Sequence, residues 1–235
     1  MKNKFVIILM LFSAMVAFCQ NETITKKFTR TKVEKIDFSK IYYKKTGKKI
    51  EENEFVKLVK NNPNLQIENI IGIDGEIEKY LVFFETKEKN IKNNRKNQII
   101  KGNLFPNFIA KTIENKRIEL KDNKGKIIIL RFELEANTFR FKKEEIKQID
   151  LLINKIENKE EKIKSIIFFA SNELDIKDGF DLQNSNFELI PNSLNFHEKF
   201  SITRFPTTII IDKNGKLVDY FIYMEDIDLN KLINE

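Results

Sequence analysis

Unbroken apolar runs and helically spaced apolar stripes alternate along this chain, separated by stretches of lysine, asparagine and glutamate. Lys126 to Phe132 (KIIILRF) and Ile163 to Ala170 (IKSIIFFA) have the continuous character of strands buried on both faces. Between them, Ile146, Ile149, Leu152, Ile153 and Ile156 fall at helical spacing within Lys142 to Ile156. That strand–helix–strand order predicts a βαβ unit. Ser193 to Phe200 predicts a short helix, and Thr207 to Asp212 a third strand. Lys213 to Lys216, with its Asn-Gly step, predicts a turn into an antiparallel fourth strand, Leu217 to Tyr223. A closing helix over Asp226 to Ile233 has Asp226 or Asp228 as its candidate N-cap. The expected architecture is α/β, a central mixed sheet flanked by helices.

The first hundred residues are more polar. Asn53 to Asn61 (NEFVKLVKN) sets Phe55, Leu58 and Val59 on one helical face. Asp74-Gly75 predicts a turn entering a strand that runs through Tyr80 to Phe84. Lys87 to Lys101 is rich in lysine and asparagine, as a linker is. We therefore expect a small α+β accessory region over 20–100 and a larger α/β domain over 101–235.

The start of the chain reads as targeting. Lys2 and Lys4 precede an uncharged apolar run, Phe5 to Phe18, which is short for a membrane span and suited to a signal-peptide core. Ala17 and Cys19 occupy the −3 and −1 positions of a cut before Gln20, giving a signal peptide over 1–19. The rival readings are a lipoprotein leader that keeps an acylated Cys19, next to which Phe18 fits poorly, and an uncleaved anchor. Export to the periplasm or secretion is the expected destination, with no transmembrane domain in the mature chain.

Composition narrows the chemistry. One cysteine and one histidine exclude a disulfide scaffold, a four-cysteine zinc site and a multi-histidine centre. The formal net charge is +7, from 42 basic and 35 acidic residues. The basic residues are almost all lysine and are interspersed with glutamate, which fits a mixed solvated surface better than a nucleic-acid groove. No phosphate-binding glycine loop, nucleophile elbow or zinc-helix motif is present. No cofactor and no metal are expected, and no nucleic-acid partner.

Four stretches carry a family resemblance. Gly102 to Phe108 (GNLFPNF), Asn115 to Leu120 (NKRIEL) and Lys124 to Phe132 (KGKIIILRF) open like the TlpA/ResA and AhpC/TSA group of the thioredoxin-like superfamily. Phe200 to Lys216 (FSITRFPTTIIIDKNGK) is similar to that group's V-x-x-x-P-T-x-x-x-I-D-x-x-G-K signature. The resemblance spans the C-terminal half and implies a thioredoxin-like fold of the thiol–disulfide oxidoreductase type. It also implies that Pro206 is the cis-proline facing the active-site loop; a trans-proline opening an edge strand is the alternative.

The departure falls on the active site. Where the family carries Cys-x-x-Cys, this chain carries Asn137, Thr138, Phe139 and Arg140. Thiol exchange needs a thiolate and a resolving thiol, so no catalytic residues are expected there. Asn137 or Thr138 is a candidate helix N-cap. Arg131 and Arg140 with Glu133 and Glu135 read either as an anion pocket near a helix N-terminus or as compensating surface charge. Glu133 and Glu135, alternate along a strand, are a weaker acid–base pair. His197 reads as a structural or exposed histidine.

Two functions remain open. One is a polypeptide-binding or chaperone-like module of the cell envelope, redox-inactive, with Phe139, Arg140, Phe205, Pro206 and Thr207 lining its groove. The other is an enzyme that borrows a partner's thiols or uses non-thiol chemistry around Arg140. Oligomeric state is not readable from the sequence.

Overall fold

The computed structural model describes residues 36–84 and 98–234. The expected leader and most of the lysine- and asparagine-rich stretch, 87–97, lie outside the described residues. The first described elements are β1 (Ile41–Tyr43), α1 (Glu52–Asn61), β2 (Leu65–Ile71) and β3 (Ile77–Phe84). They form a three-stranded sheet in the order β1–β3–β2, with β1 parallel and β2 antiparallel to β3. The Asp74-Gly75 turn joins β2 to β3. Asp74 accepts from the Glu76 N–H at 3.1 Å, and Gly75 sits at φ 80°, where a side chain would be strained. Phe55 is the residue that α1 buries, its ring edge-on to Phe38 at 6.0 Å.

After 98 the chain runs through a hairpin, β4 (Ile109–Lys111) and β5 (Arg117–Glu119), into β6 (Ile127–Glu133). It continues with α2 (Lys143–Ile153), α3 (Lys159–Lys162), β7 (Ile163–Phe169), α4 (Glu173–Gly179), β8 (Phe187–Ile190) and α5 (Leu194–Lys199). It ends in β9 (Thr207–Ile211), β10 (Leu217–Phe221) and α6 (Leu229–Asn234). The five-stranded sheet has the order β10–β9–β6–β7–β8. β6, β7 and β8 are parallel, while β9 is antiparallel to both β6 and β10. This is the mixed, helix-flanked sheet the periodicity predicts.

The sheet divides two cores, because alternate residues of a strand face opposite ways. On one face Phe132 and Phe168 pack with Phe108, Phe196 and Phe200. On the other, Ile146, Ile149 and Ile153 of α2 pack on Ile127, Ile129 and Phe169. The closing helix differs from expectation by splitting into a 3-10 turn, Met224–Asp226, and α6. Of the two candidate caps, Asp228 serves, accepting from the Lys231 N–H at 3.0 Å.

Asp37–Glu235 is one compact unit. The β2–β3 connection grips α5: Asn195 donates to the Gly75 carbonyl at 2.9 Å and Lys199 to that of Ile71 at 2.8 Å. Asn69 donates to Glu198 at 3.1 Å, and the Ile109 N–H to the Ile73 carbonyl at 2.7 Å. At the other end of the described gap, Ile99 and Tyr220 exchange hydrogen bonds, and the Gly102 N–H donates to Leu217 at 2.7 Å.

Candidate functional site

Three loops meet at one end of the five-stranded sheet. Phe132, next to the last residue of β6, is paired with Thr207, the first of β9. The chain leaving β6 (134–142) therefore starts beside the chain entering β9 (201–206). The end of β10, where Phe221 pairs with Thr208, brings 222–226 to the same place. The Phe205–Pro206 peptide is cis. A sheet of this order, with a parallel βαβ half and an antiparallel hairpin half, decides the architecture. The domain has the thioredoxin-like fold.

No family model and no curated protein matches the sequence. Solved structures do. The thioredoxin domain of a thiol-disulfide oxidoreductase from Bacteroides vulgatus is 19% identical, covering 58% of this chain and 95% of that one, with a TM-score of 0.42. The exposed lipoprotein thioredoxin of Streptococcus pneumoniae is 22% identical over 55% of this chain and 100% of its own, TM-score 0.41. A peroxiredoxin-like protein from Aquifex aeolicus is 14% identical over 58% and 85%, TM-score 0.44. The fold assignment rests on this chain's own strand order and connections.

At the loop after β6 the thioredoxin-like domain departs from the expected geometry. Asn137 and Thr138 cap no helix, because α2 begins only at Lys143. Thr138 instead donates to the Glu135 carbonyl at 3.4 Å, and the Phe141 N–H donates to Thr138 at 3.0 Å, closing a turn. The loop is anchored by buried Ala136 and Phe141. Ala136 lies against Gly179, where an added Cβ would come within 2.6 Å of its backbone. Between the anchors Asn137 and Arg140 are exposed, and the Phe139 side chain is 94% exposed. The Arg140 guanidinium sits 5.7 Å from the Phe139 ring centroid. Across from them Phe205 is half-buried, and Pro206 and Thr207 are buried. Among the described residues, neither the N–H nor the C=O of Phe205 has a backbone partner. The neighbouring Arg204 carbonyl accepts from the Thr207 hydroxyl at 2.8 Å.

Beneath the loop lies a charge network. Arg131 is wholly buried. Its Nε donates to Glu133 at 2.7 Å, and its Nη2 lies 2.9 Å from Glu145. Its Nη1 stands 3.5 Å from the Thr208 hydroxyl, which in turn donates to Met224 Sδ at 3.0 Å. Lys142 donates to Glu145 at 2.8 Å, and its ammonium lies 5.0 Å from the Tyr223 ring. Burial pushes the Glu133 carboxyl above the usual range, against the pull of Arg131. The Glu145 hydrogen bond pulls Lys142 up.

Both readings of Arg131 and Glu133, as anion pocket and as surface charge, are corrected: the pair is internal, with Arg131 hydrogen-bonded to Glu133 and ion-paired with Glu145. Nor do Glu133 and Glu135 form an acid–base pair, since Glu133 is buried and Glu135 exposed. Glu145, Lys142, Thr208 and Met224 were not singled out from the sequence. The signal for them was Arg131 itself, because an arginine inside an apolar strand demands buried acceptors.

The chain's single cysteine, Cys19, lies outside the described residues. The loop therefore presents an apolar ring, two guanidinium groups (Arg140 and Arg204) and an open backbone edge, with no thiol. Among the described residues no cluster of three His, Cys, Asp or Glu could hold a metal ion. Nor is any helix there long and apolar enough to cross a membrane.

Proposed function

We propose that this chain is an exported, redox-inactive thioredoxin-fold protein that binds extended polypeptide at the loop-lined end of its central sheet. The leader pattern over 1–19 supports export to the periplasm or beyond. In the same reading, 20–100 is an accessory region and 101–235 the binding domain. The observation that carries the proposal is the open backbone edge of Phe205 in the same loop cluster as the exposed Phe139. A peptide strand laid along Phe205 satisfies its N–H and C=O, as strand addition does. Phe139 and Arg140 then supply apolar and planar contact to its side chains, the residue types that dominate binding energy at interfaces. With a single cysteine, catalysis of dithiol exchange within one chain is not available to this protein.

The test is fluorescence anisotropy with a rhodamine-labelled peptide of Leu, Phe, Ser and Gln, its termini blocked so that it holds no titratable group. Saturable binding is expected, weakened about tenfold by Phe139→Ala. Absence of saturable binding would overturn the reading. Equal affinity of wild type, Phe139→Ala and Arg140→Ala would move the peptide away from these loops.

A further inference from the structure

The chain's only histidine lies directly behind this loop cluster. His197 is 2% exposed. Its ring centroid is 5.2 Å from that of Phe205, tilted by 41°, and 5.4 Å from that of Phe132, edge to face. Nε2 lies 3.3 Å from both the Ser193 hydroxyl oxygen and the Phe168 carbonyl. Ser193 spends its own proton on the Phe169 carbonyl at 2.7 Å, so its oxygen is free to accept. Two acceptors around Nε2 place the ring proton there. Nδ1 is then a lone-pair nitrogen, buried and without a partner among the described residues. A buried acceptor of this kind is uncommon and costly.

We propose that His197 is the positioning residue of the polypeptide site: its neutral ring, packed against Phe132 and Phe205, holds Phe205 so that its backbone faces the client, and proton uptake at Nδ1 releases the client. The inference rests on the polypeptide reading and names the regulation of the same site. The helix that carries His197 is held from outside, since α5 is tied to the β2–β3 connection through Asn195, Glu198 and Lys199. The ring therefore cannot follow Phe205 into solvent without breaking those bonds.

No charge faces the imidazole. β6 presents Phe132 to it, and Arg131 and Glu133 lie on the opposite face of that strand with α2. β7 presents Phe168, the β9 loop presents Phe205, and α5 itself presents Ser193. Burial holds the ring down at about 4, opposed by the hydrogen bond to the Phe168 carbonyl. A proton taken up at Nδ1 would put a buried cation between the Phe132 and Phe205 rings with no counter-ion. Moving Phe205 aside lets water reach it.

The experiment follows the His197 ring C–H resonance and the Phe205 backbone amide of the whole protein from about pH 7.5 to about pH 3.5, with peptide anisotropy at each step. His197→Gln keeps an amide donor near Nε2 and removes the titration. Wild type is expected to show both resonances moving with one midpoint. Its affinity should fall about tenfold through that midpoint, with the far-ultraviolet circular dichroism unchanged. His197→Gln should bind within about threefold of wild type at neutral pH and stay flat in acid. A Phe205 amide that ignores the ring's titration would overturn the proposal, and so would an equal acid loss in His197→Gln. If that variant does not fold, the wild-type co-titration alone decides. Peptide binding absent at every pH would overturn the polypeptide reading, while co-titration of Phe205 would still uphold the positioning role.

Discussion

On one face of β6, Phe132 enters a stack of rings: Phe168 at 5.0 Å and nearly parallel, with His197 and Phe200 edge-on. On the other face, Arg131 and Glu133 carry charge to the same depth. Both faces support the same loops, by different physics. The aromatic face is stabilised by removal of apolar area from water and by ring geometry. The charged face is offset by Coulomb attraction and hydrogen bonds, and it holds only while every member is present. The difference shows where each face is vulnerable. On the charged side the unbonded atoms, Arg131 Nη2 and Glu145 Oε2, lie 2.9 Å apart as an ion pair, whereas on the aromatic side His197 Nδ1 has neither a hydrogen bond nor an opposite charge.

Removing a central residue from either face is the largest perturbation. Arg131→Ala leaves the buried Glu133 without its cation and Glu145 with Lys142 alone, and should cost about 3–5 kcal/mol in urea unfolding at neutral pH. Phe132→Ala empties the ring stack and should cost about the same. Acid separates the two. Below neutrality Glu133 takes up a proton and relieves the unpaired charge, so the deficit of Arg131→Ala shrinks, while that of Phe132→Ala does not. Equal deficits across pH would mean that Arg131 acts through its bulk and not its charge.

The strand pattern made this fold legible, and the two faces explain the limits. KIIILRF reads as a buried strand because five of its seven side chains are apolar. The proline step and the Asp-x-x-Gly turn placed β9 and β10. What the run could not disclose is that Arg131 finds Glu145, because that pairing depends on where α2 starts. The helical spacing opens at Lys142, close to the observed start at Lys143, but the cap offered at Asn137 or Thr138 is not used, because Thr138 closes a turn. The strands β1, β2 and β8 were not predicted. Their ordering comes from pairing with β3 and β7, and so from tertiary contact more than local pattern. Phe139 and Phe205 were legible as candidates, but their exposure was not, since burial is a property of neighbours.

The next largest effect is the pH dependence of the two faces, which have opposite signs. The His197 midpoint in the folded protein, about 4, lies below its ordinary value of 6.5. Its contribution is therefore complete above the ordinary value and is lost as pH falls towards 4, by about 3 kcal/mol. For Glu133 the folded midpoint is raised. Its contribution is greatest below the ordinary carboxylate value and is lost as pH rises through the folded midpoint. Acid thus weakens the aromatic face and eases the charged one. His197→Gln should remove the acid loss, and Glu133→Gln should remove the opposing gain, in urea melts at stepped pH. A wild-type profile that stays level from about pH 6.5 to about pH 4 while His197→Gln also stays level would remove the histidine from the account.

A smaller effect tests whether the N-terminal sheet helps to hold the aromatic face. Gly75 sits at φ 80°, and a Cβ there would lie 2.7 Å from the Phe196 ring. Gly75→Ala should cost about 1–3 kcal/mol through backbone strain and overpacking. Its sharper readout is His197, because the same turn anchors α5 through Asn195. Loosening that anchor admits water to the ring and should raise its midpoint towards the ordinary value. A midpoint unmoved by Gly75→Ala would show that β6 and β7 alone hold the histidine.

The smallest expected effect on stability belongs to Phe139, and that is its diagnostic value. With its side chain 94% exposed, it contributes little to either face. Phe139→Ala should leave urea stability within about 0.5 kcal/mol and both titrations where they were, while peptide affinity falls about tenfold. The other substitutions disturb the support beneath the loops, so a loss of binding in them is shared with a loss of fold. Here the two separate, because the exposed ring carries little of the fold's stability. A Phe139→Ala protein less stable by more than about 1 kcal/mol would mean that the ring packs on its own loop in solution. One that is as stable as wild type and binds the peptide equally well would leave the Phe205 edge as the whole of the site.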